Sequence, residues 1–547
     1  MNTFQPNQTD AEWWRGAAIY QIYPRSFADS NGDGIGDLAG ITSRLEYVAG
    51  LGVDGIWLSP FFVSPMRDFG YDVSNYRDVD PMFGTIVDYD ALVGRAHTLG
   101  LKVLIDQVYS HTAIEHPWFQ ESRQDRSNRR AEWYVWADAK ADGSPPNNWQ
   151  GWMGGSAWAW EPRRKQYYLH NFLAEMPDLN FHCAAVQDAI LEIARFWLDH
   201  DVDGFRLDTA NFYFHSRTLE DNPPQVGDSP VMMQRHIHNV CQPENLTFLA
   251  RLRHVVDQYP GRATVAEIGS ADNLARMIEY TEGTTRLHTA YSFLLLGDRY
   301  DPAFIAEMMV PWQRGEGASA WPSWAFSNHD VSRVASRCAG LGAAPQRCQL
   351  LLALLMCLRG TIFLFQGEEL GLTQADVPFE KLQDPFGKAN WPVKKGRDGC
   401  RTPMPWNGAA DAAGFTTGSP WLPIEESHRS RAVDIQAADP DSTLHFARRT
   451  IALRQAHPAL RVGSFNPLFV DDTVLVVSRR YGNDELLIAF NLGGDARSID
   501  IALTLAPEPH LTCGGARFEA GTLQLAPWSA LFTTVIREEI SDTEVAT

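Results

Sequence analysis

Charged side chains stand at the ends of several short apolar runs in this sequence. The run DGFRLDTAN, Asp203 to Asn211, carries Arg206 and Asp208. Two neighbouring charges in an apolar run are costly unless they pair or take part in chemistry. Similar runs end in acids and histidines, namely Asp106 followed by His111, Glu267, and His329 with Asp330. Taken alone, Arg206 and Asp208 are equally well explained as a structural ion pair, so the elements that carry the whole set must decide.

Paired carboxylates of this kind suit the transfer of a glycosyl group. One carboxylate attacks the anomeric carbon and a second acid protonates the leaving oxygen, and retaining enzymes hold the two about 5–5.5 Å apart. Arg206 beside Asp208 favours its ionised form, which a nucleophile needs. Glu267 lies among apolar residues in ATVAEIG, where burial raises the pKa of a carboxyl group and suits a general acid.

Strand-like runs and helix-like segments alternate along most of the chain. The runs cover residues 17–24, 54–60, 102–110, 203–211, 263–269, 289–295, 324–330 and 361–367. Eight such units predict a closed (β/α)8 TIM barrel of the α/β class, whose active site lies at the carboxyl ends of the strands. The charged residues stand at those ends, so the barrel brings them to one mouth.

Two segments break this alternation. Residues 111–182 are rich in Trp, Gly, Pro and Asn and predict an inserted subdomain after strand three. From residue 463 onward, short alternating strands such as ELLIAFNLG predict a C-terminal antiparallel β-sandwich domain. The predicted barrel therefore comprises residues 1–110 and 183–462, and the last domain residues 463–547.

Composition and charge exclude several classes of partner. The net charge of −20 repels phosphate backbones, so we expect no nucleic acid. Seven scattered cysteines without a CxxC pair predict neither a disulfide framework nor a zinc site. The start, MNTFQPNQTDAEWW, has no basic and apolar pattern of a signal peptide, and the most apolar stretch, 350–365, is too short to span a membrane. We expect a cytoplasmic protein without an organic cofactor, as a monomer or homodimer.

The motifs DQVYSH, GFRLDT, AEIG and FSNHD together resemble glycoside hydrolase family 13, the α-amylase family. WWRGAAIYQIYPRSF, DSNGDGIGDL, DFGYDVSNY and RTPMPW are similar to its α-glucosidase and oligo-1,6-glucosidase branch. The resemblance runs from Trp13 to about Pro527. It implies Asp208 as nucleophile, Glu267 as acid/base, and Asp330 as a third acid that holds sugar hydroxyls.

The resemblance also implies a glucose-binding set in the first subsite. Its members in this sequence are Asp68, Tyr71, His111, Arg206, His329 and Arg401. Asp68 and Arg401 would hold hydroxyls at a closed end of the pocket, which makes the enzyme exo-acting, and Tyr71 would stack on the sugar. Phe172 is expected to line the same pocket, with core packing as the alternative.

The loop DSNGDGIGD has the ligand order of a calcium loop. Oxygen ligands alternate along it, namely Asp29, Asn31, Asp33, the Ile35 carbonyl and Asp37. Gly40 stands where an EF-hand has glutamate, so an EF-hand is excluded. The resemblance implies a structural Ca²⁺, with Mg²⁺ as the alternative ion and an empty acidic turn as the alternative structure. Ser110 replaces the asparagine of a second calcium site found in many α-amylases, so we expect no ion there.

Departures from the family pattern concern the linkage. Thr209 follows the nucleophile where oligo-1,6-glucosidases usually have valine, and Met176 begins MPDLN where they have QPDLN. These favour α-1,4 substrates such as maltose, with glucosyl transfer to sugars or alcohols. We expect the loops 212–260 and 371–407 to wall the acceptor side, with Glu380 near the second sugar. An oligo-1,6-glucosidase, a sucrose-cleaving or isomerising enzyme, a trehalose-cleaving relative, and a non-catalytic transporter-associated homologue stay open as alternatives.

Overall fold

A computed structural model describes residues 10–313, 317, 319–338 and 344–537. Within this part of the chain, eight parallel strands form one sheet. The strands are β1 (Ala18–Ile22), β2 (Gly55–Leu58), β3 (Lys102–Gln107), β4 (Gly204–Leu207), β5 (Ala263–Ile268), β6 (Thr289–Ser292), β7 (Ser323–Ala325) and β8 (Thr361–Phe365). The first nine residues, predicted not to be a signal peptide, and the last ten of the predicted C-terminal domain lie outside the described residues.

The sheet closes into the predicted (β/α)8 barrel. Its strand order is β6-β5-β4-β3-β2-β1-β8-β7. A parallel bridge between Ala290 and Pro322 joins the two ends, β6 and the start of β7. The strands are buried along nearly their whole length, as expected for parallel strands covered on the outside by helices. The fold prediction from the alternating pattern is confirmed.

Helices cover the outside of the barrel. The longer ones are Leu38–Ala49, Ile86–Thr98, Ala184–Asp199, Glu244–Val256, Asn273–Thr281, Pro302–Met309, Pro345–Cys357 and Thr443–Ala456. Ala184–Asp199 shows why they pack there, because Ile190, Ile193 and Trp197 recur at helical spacing and all three are buried. Among the described residues, no helix is both long and apolar enough to cross a membrane.

An inserted segment leaves the barrel after β3. It contains the helix Pro117–Ser122 and a three-stranded antiparallel sheet of Trp136–Ala137, Trp158–Glu161 and Gln166–Leu169. Its own small core includes Trp149 and Trp158, whose rings stack 5.9 Å apart. A short antiparallel pair after β2, Phe62–Val63 with Asn75–Val79, completes this side of the barrel mouth.

Two antiparallel sheets follow the barrel. The larger contains Ser464–Val470, Val474–Tyr481, Asp484–Asn491, Leu511–Cys513 and Ser529–Thr534, and the smaller Arg497–Asp500, Arg517–Glu519 and Thr522–Leu525. Apolar side chains of both sheets form one core. Buried Arg479 fixes this domain to the barrel, because it donates to the carbonyls of Cys357, Leu460 and Ser464.

Candidate active site

Arg206 lies at the centre of the barrel mouth and holds three acids from neighbouring strands. Its Nη1 donates to Asp106 Oδ1 and to Asp208 Oδ1, both at 2.7 Å. Its Nη2 lies 2.5 Å from Glu267 Oε1. The guanidinium is completely buried and stands 5.1 Å from the Trp57 ring centre. One cation therefore fixes acids on β3, β4 and β5 in a single network.

Burial and charge set the protonation of this network. Burial raises the pKa of Asp208 to about 6, while the Arg206 cation opposes the rise. Burial likewise raises the pKa of Glu267 to about 7, again against Arg206. At neutral pH, Asp208 is therefore mostly ionised and Glu267 carries a proton about half of the time. The sequence predicted the ionised Asp208 from Arg206, and the larger effect of burial brings its pKa closer to neutrality.

Thr209 contacts both carboxyl groups. Its backbone N–H donates to Glu267 Oε2 at 3.2 Å, and its Oγ1 lies 3.2 Å from Asp208 Oδ2 and 3.0 Å from Ser110 Oγ. Its φ angle is +41°, a left-handed conformation that β-branched residues rarely adopt. The turn directs the amide of Thr209 toward Glu267 and its hydroxyl toward Asp208.

Asp330 follows β7 and is held by two arginine cations and by the ring of His329. Arg401 Nη2 donates to its Oδ1 at 3.0 Å, and Arg397 Nη1 reaches the same oxygen at 3.4 Å. His329 Nε2 lies 3.1 Å from the other oxygen, Oδ2. These neighbours outweigh burial and lower the pKa of Asp330 well below its ordinary value. Asp330 is therefore ionised throughout the pH range in which Asp208 and Glu267 titrate.

The rings of Tyr71 and His329 stack beside the acids. Their rings are parallel within 3° and 5.3 Å apart, and the Tyr71 hydroxyl donates to Asp106 Oδ2 at 3.0 Å. Burial lowers the pKa of His329 to about 3, so its imidazole is neutral. His111 donates from Nε2 to the Tyr71 carbonyl at 3.0 Å, and its ring lies 5.3 Å from Phe172.

These groups open into a cavity of about 350 Å³ at the carboxyl ends of the strands. Eight predicted residues line it: Asp68, Tyr71, His111, Phe172, Asp208, Thr209, Glu267 and Asp330. Arg206 and His329 lie directly beneath them as the buried partners described above. The remaining wall is mostly apolar, and we call Trp152, Met153, Met176, Phe212, Phe293 and Phe386 the apolar rim.

Two predicted positions lie outside the lining, and the charged lining residue Arg397 was missed, as was most of the apolar rim. Arg401 lies behind Asp330 and donates to the His329 carbonyl at 2.7 Å, outside the lining. Glu380 is exposed on the short helix Phe379–Lys381 and does not line the cavity. Arg397 does line it and bridges Asp68 and Asp384, at 2.8 Å from the latter. Its only sequence signal is its position four residues before Arg401 in a loop without periodicity.

Comparison with known proteins agrees with this geometry. The model of the alpha-amylase catalytic domain matches residues 21–463. The chain belongs to the α-amylase family. Among its relatives, a protein described as a probable alpha-glucosidase of Rhizobium meliloti (strain 1021) is 52% identical over 91% of this chain and 92% of its own length. An oligo-1,6-glucosidase of Parageobacillus thermoglucosidasius is 35% identical over 88% of this chain and 90% of the relative.

Solved structures of this α-amylase-family fold are also similar. The alpha-glucosyl transfer enzyme XgtA superimposes with a TM-score of 0.92 at 52% identity, covering 96% of this chain and 99% of that chain. The trehalulose synthase MutB of Pseudomonas mesoacidophila MX-45 has a TM-score of 0.88 at 30% identity, covering 96% of this chain and all of its own. The resemblance found in the motifs is therefore confirmed for the family and the fold.

The acids of the predicted calcium loop accept hydrogen bonds from backbone N–H groups. Asp29 accepts the backbone N–H groups of Gly32 and Gly34, and Asp37 caps the helix Leu38–Ala49 by accepting from Gly40. The part of the chain that the structure describes holds no group of three or more His, Cys, Asp or Glu able to bind a metal ion. The loop acids do not converge in this conformation, and the calcium ion stays a prediction.

The loop after β4 is fastened to the inserted segment. Asn148 and Asn222 exchange two hydrogen bonds, from Asn222 N at 2.8 Å and from Asn148 Nδ2 at 2.9 Å. Next to this joint, Trp152 of the rim stacks on His236 with ring centres 5.2 Å apart. The loop after β8 contributes Phe386 and Arg397 to the cavity. Both long loops therefore take part in the walls of the site.

Proposed function

We propose that this protein is an exo-acting, retaining α-glucosidase that releases glucose from short α-glucosides and also transfers it. The observation that carries the proposal is the pairing of Asp208 and Glu267 by Arg206 and Thr209, with pKa values of about 6 and about 7. An ionised nucleophile beside a half-protonated acid is what retaining glycoside transfer requires.

The reaction follows from this geometry. Asp208 attacks the anomeric carbon while Glu267 gives its proton to the leaving oxygen, so an ester bond forms as the glycosidic bond breaks. Glu267, now a carboxylate, takes a proton from water or from an acceptor hydroxyl. The new oxygen–carbon bond displaces Asp208, which regains its charge. Arg206 stays bound to Asp208 Oδ1, and Oδ2 is therefore the oxygen that attacks.

The remaining residues hold the glucose ring. Asp330 is ionised and accepts sugar hydroxyls, and the Tyr71 ring offers a flat apolar face. The Asp68–Arg397 ion pair joins the loop after β2 to the loop after β8 across the cavity. We take this pair to bind the hydroxyls of the non-reducing end and to stop a longer chain from passing through, which makes the enzyme exo-acting.

The walls of the cavity bear on substrate length. The loop after β4 is fastened to the inserted segment, so little room is left for sugars beyond the second one. We propose maltose as the preferred substrate type, because Thr209 and Met176 depart from the pattern of oligo-1,6-glucosidases. We propose sugars or alcohols as acceptors, because the rim offers apolar contacts. Maltohexaose should be hydrolysed at least about tenfold less efficiently than maltose, and equal rates would refute the closed acceptor side.

A substrate panel tests the proposal. Maltose, isomaltose, sucrose and trehalose are offered separately, and the products, including the anomer first released, are identified by NMR. We expect α-glucose first, fastest from maltose, and no product from Asp208→Asn. Fast cleavage of isomaltose would make the protein an oligo-1,6-glucosidase, and isomers of sucrose would make it a sucrose isomerase. Initial β-glucose would refute retention, and equal inactivity of both proteins would favour a non-catalytic homologue.

A further inference from the structure

The Thr209 hydroxyl lies beside the oxygen of Asp208 that attacks the sugar. The hydroxyl lies between two oxygens, Asp208 Oδ2 at 3.2 Å and Ser110 Oγ at 3.0 Å. The first is the oxygen that Arg206 leaves free, because Arg206 holds Oδ1. Within the described residues, the hydrogen bonds of Asp208 Oδ2 thus come from Thr209 alone, at the atom that forms and breaks the ester bond.

The hydrogen bonds around the Thr209 hydroxyl determine which of its neighbours can accept its proton. The Tyr71 carbonyl only accepts, so His111 Nε2 carries a proton and donates it there. Burial lowers the pKa of His111 and keeps its ring neutral, so Nδ1 carries no proton and is an acceptor. The Ser110 hydroxyl lies 2.8 Å from Nδ1 and donates its only proton to that nitrogen. Ser110 Oγ therefore accepts from Thr209. The single proton of Thr209 has two alternative acceptors, Asp208 Oδ2 and Ser110 Oγ.

The charge on Asp208 decides between them. A carboxylate oxygen is a far stronger acceptor than a serine hydroxyl, whereas the bridging oxygen of an ester is a weak one. We infer that the Thr209 hydroxyl donates to Asp208 in the free enzyme, turns to Ser110 in the glucosyl-enzyme, and returns as the ester breaks. This inference rests on the proposed function, and it makes Thr209 a determinant of how long the intermediate lives.

The backbone supports this role. Thr209 holds a left-handed conformation that is unfavourable for a β-branched residue, and this conformation directs its hydroxyl at Asp208 and its amide at Glu267. Strained residues of this kind are found where neighbouring structure imposes them, often at active sites. Here Thr209 contacts both Asp208, which forms the bond to the sugar, and Glu267, which exchanges the proton.

The hydroxyl has opposite effects on the two half-reactions. In the first, the Asp208 Oδ2–carbon bond forms, the glycosidic bond breaks and the leaving oxygen takes the Glu267 proton. In the second, an acceptor oxygen bonds to carbon, its proton goes to Glu267, and the electron pair of the ester bond returns to Oδ2. A donor at Oδ2 stabilises the free carboxylate, so it slows the first step and speeds the second.

Four side chains at position 209 separate the hydroxyl from the methyl group. Wild type and Thr209→Ser keep a hydroxyl, whereas Thr209→Val and Thr209→Ala lack it. With 4-nitrophenyl α-glucoside, stopped-flow absorbance gives the rate of the nitrophenol burst, and acid quench with mass spectrometry gives the fraction of glucosyl-enzyme. In Thr209→Val and Thr209→Ala, we expect the ratio of the rates at which the glucosyl-enzyme forms and breaks down to rise about tenfold. This is the size of one hydrogen bond to a charged group. In Thr209→Ser, the ratio should match that of wild type.

Two results would overturn the inference. Equal ratios in all four proteins would show that the hydroxyl has no part in the cycle. If Thr209→Val matched wild type and Thr209→Ser matched Thr209→Ala, the effect would come from the methyl group, and thus from the shape of the side chain. A wild-type enzyme that releases no nitrophenol would refute the proposed function itself, and the inference with it. Release by wild type with equal ratios would leave the proposed function intact.

Discussion

Glu267 is buried to 4% exposure between Arg206, Tyr291 and the Thr209 amide, and at neutral pH it is half ionised. Its raised pKa means that these partners do not compensate the carboxylate for the water it loses. Replacing Glu267 by Gln keeps the shape and removes the charge. We expect Glu267→Gln to be inactive and more stable than wild type.

The size of the gain follows from the pKa values. The ordinary pKa is 4.5 and that of Glu267 is about 7. At about 1.4 kcal/mol per pH unit, ionisation costs the folded protein roughly 3 kcal/mol above pH 7. An unfolding entropy of about 2.1 cal/mol/K per residue makes each kcal/mol worth roughly 1 °C in a chain of this length, so Tm should rise by about 2–3 °C.

The pH dependence gives the gain a signature. Because the folded pKa of Glu267 lies above the unfolded one, burying this side chain costs no stability below pH 4.5, and wild type loses roughly 3 kcal/mol as pH rises through about 7. The two proteins should therefore melt together near pH 4.5 and differ fully by pH 8. Calorimetry measures Tm across this range, and Glu307→Gln, on the exposed side of a barrel helix, is the matched control. A Tm difference between Glu267→Gln and wild type that is no larger at pH 8 than at pH 4.5 would refute the reasoning.

Two further changes test the sugar-holding loop and the metal. The lysine of Arg397→Lys cannot bridge Asp68 and Asp384 as the planar guanidinium does. The KM for maltose should therefore rise at least about tenfold while kcat falls less. A selective loss of kcat would contradict a binding role. The calcium prediction requires Asp37 to exchange its helix-cap contact for the ion. Calcium added to chelator-treated protein should then raise Tm, and the rise should be smaller in Asp33→Asn. An unchanged Tm would refute the predicted calcium site.

The barrel and the acids at its mouth were predictable because both follow from short local patterns. Each buried strand is an apolar run, and the first polar residues after it must lie at the barrel mouth. Asp208 directly follows β4, Glu267 lies in β5, and Asp330 comes five residues after β7, so the strand order brings them together. The alternation of strands and helices was thus enough to place them.

Arg397 could not be found in this way. It lies in a long loop after β8, and its position depends on Asp384, Asp68 and Asp330, which come from three separate parts of the chain. Glu380, in the same loop, is exposed and does not line the cavity, and its contact with the second sugar stays a prediction. Where no periodic element carries a residue, its location is decided by tertiary ion pairs that a single sequence does not reveal.

The protonation of the site likewise depends on tertiary contacts that local sequence patterns do not reveal. The sequence identifies Arg206 beside Asp208, and from that pair alone the pKa of Asp208 is expected to fall. The folded protein buries Asp208 and directs the same cation to Asp106 and Glu267 as well, so its effect is shared among three acids and burial prevails. The acid/base behaviour of the site is therefore a property of the assembled barrel mouth. Because one cation serves three acids, changing the charge of any one of them should alter the pKa of the other two.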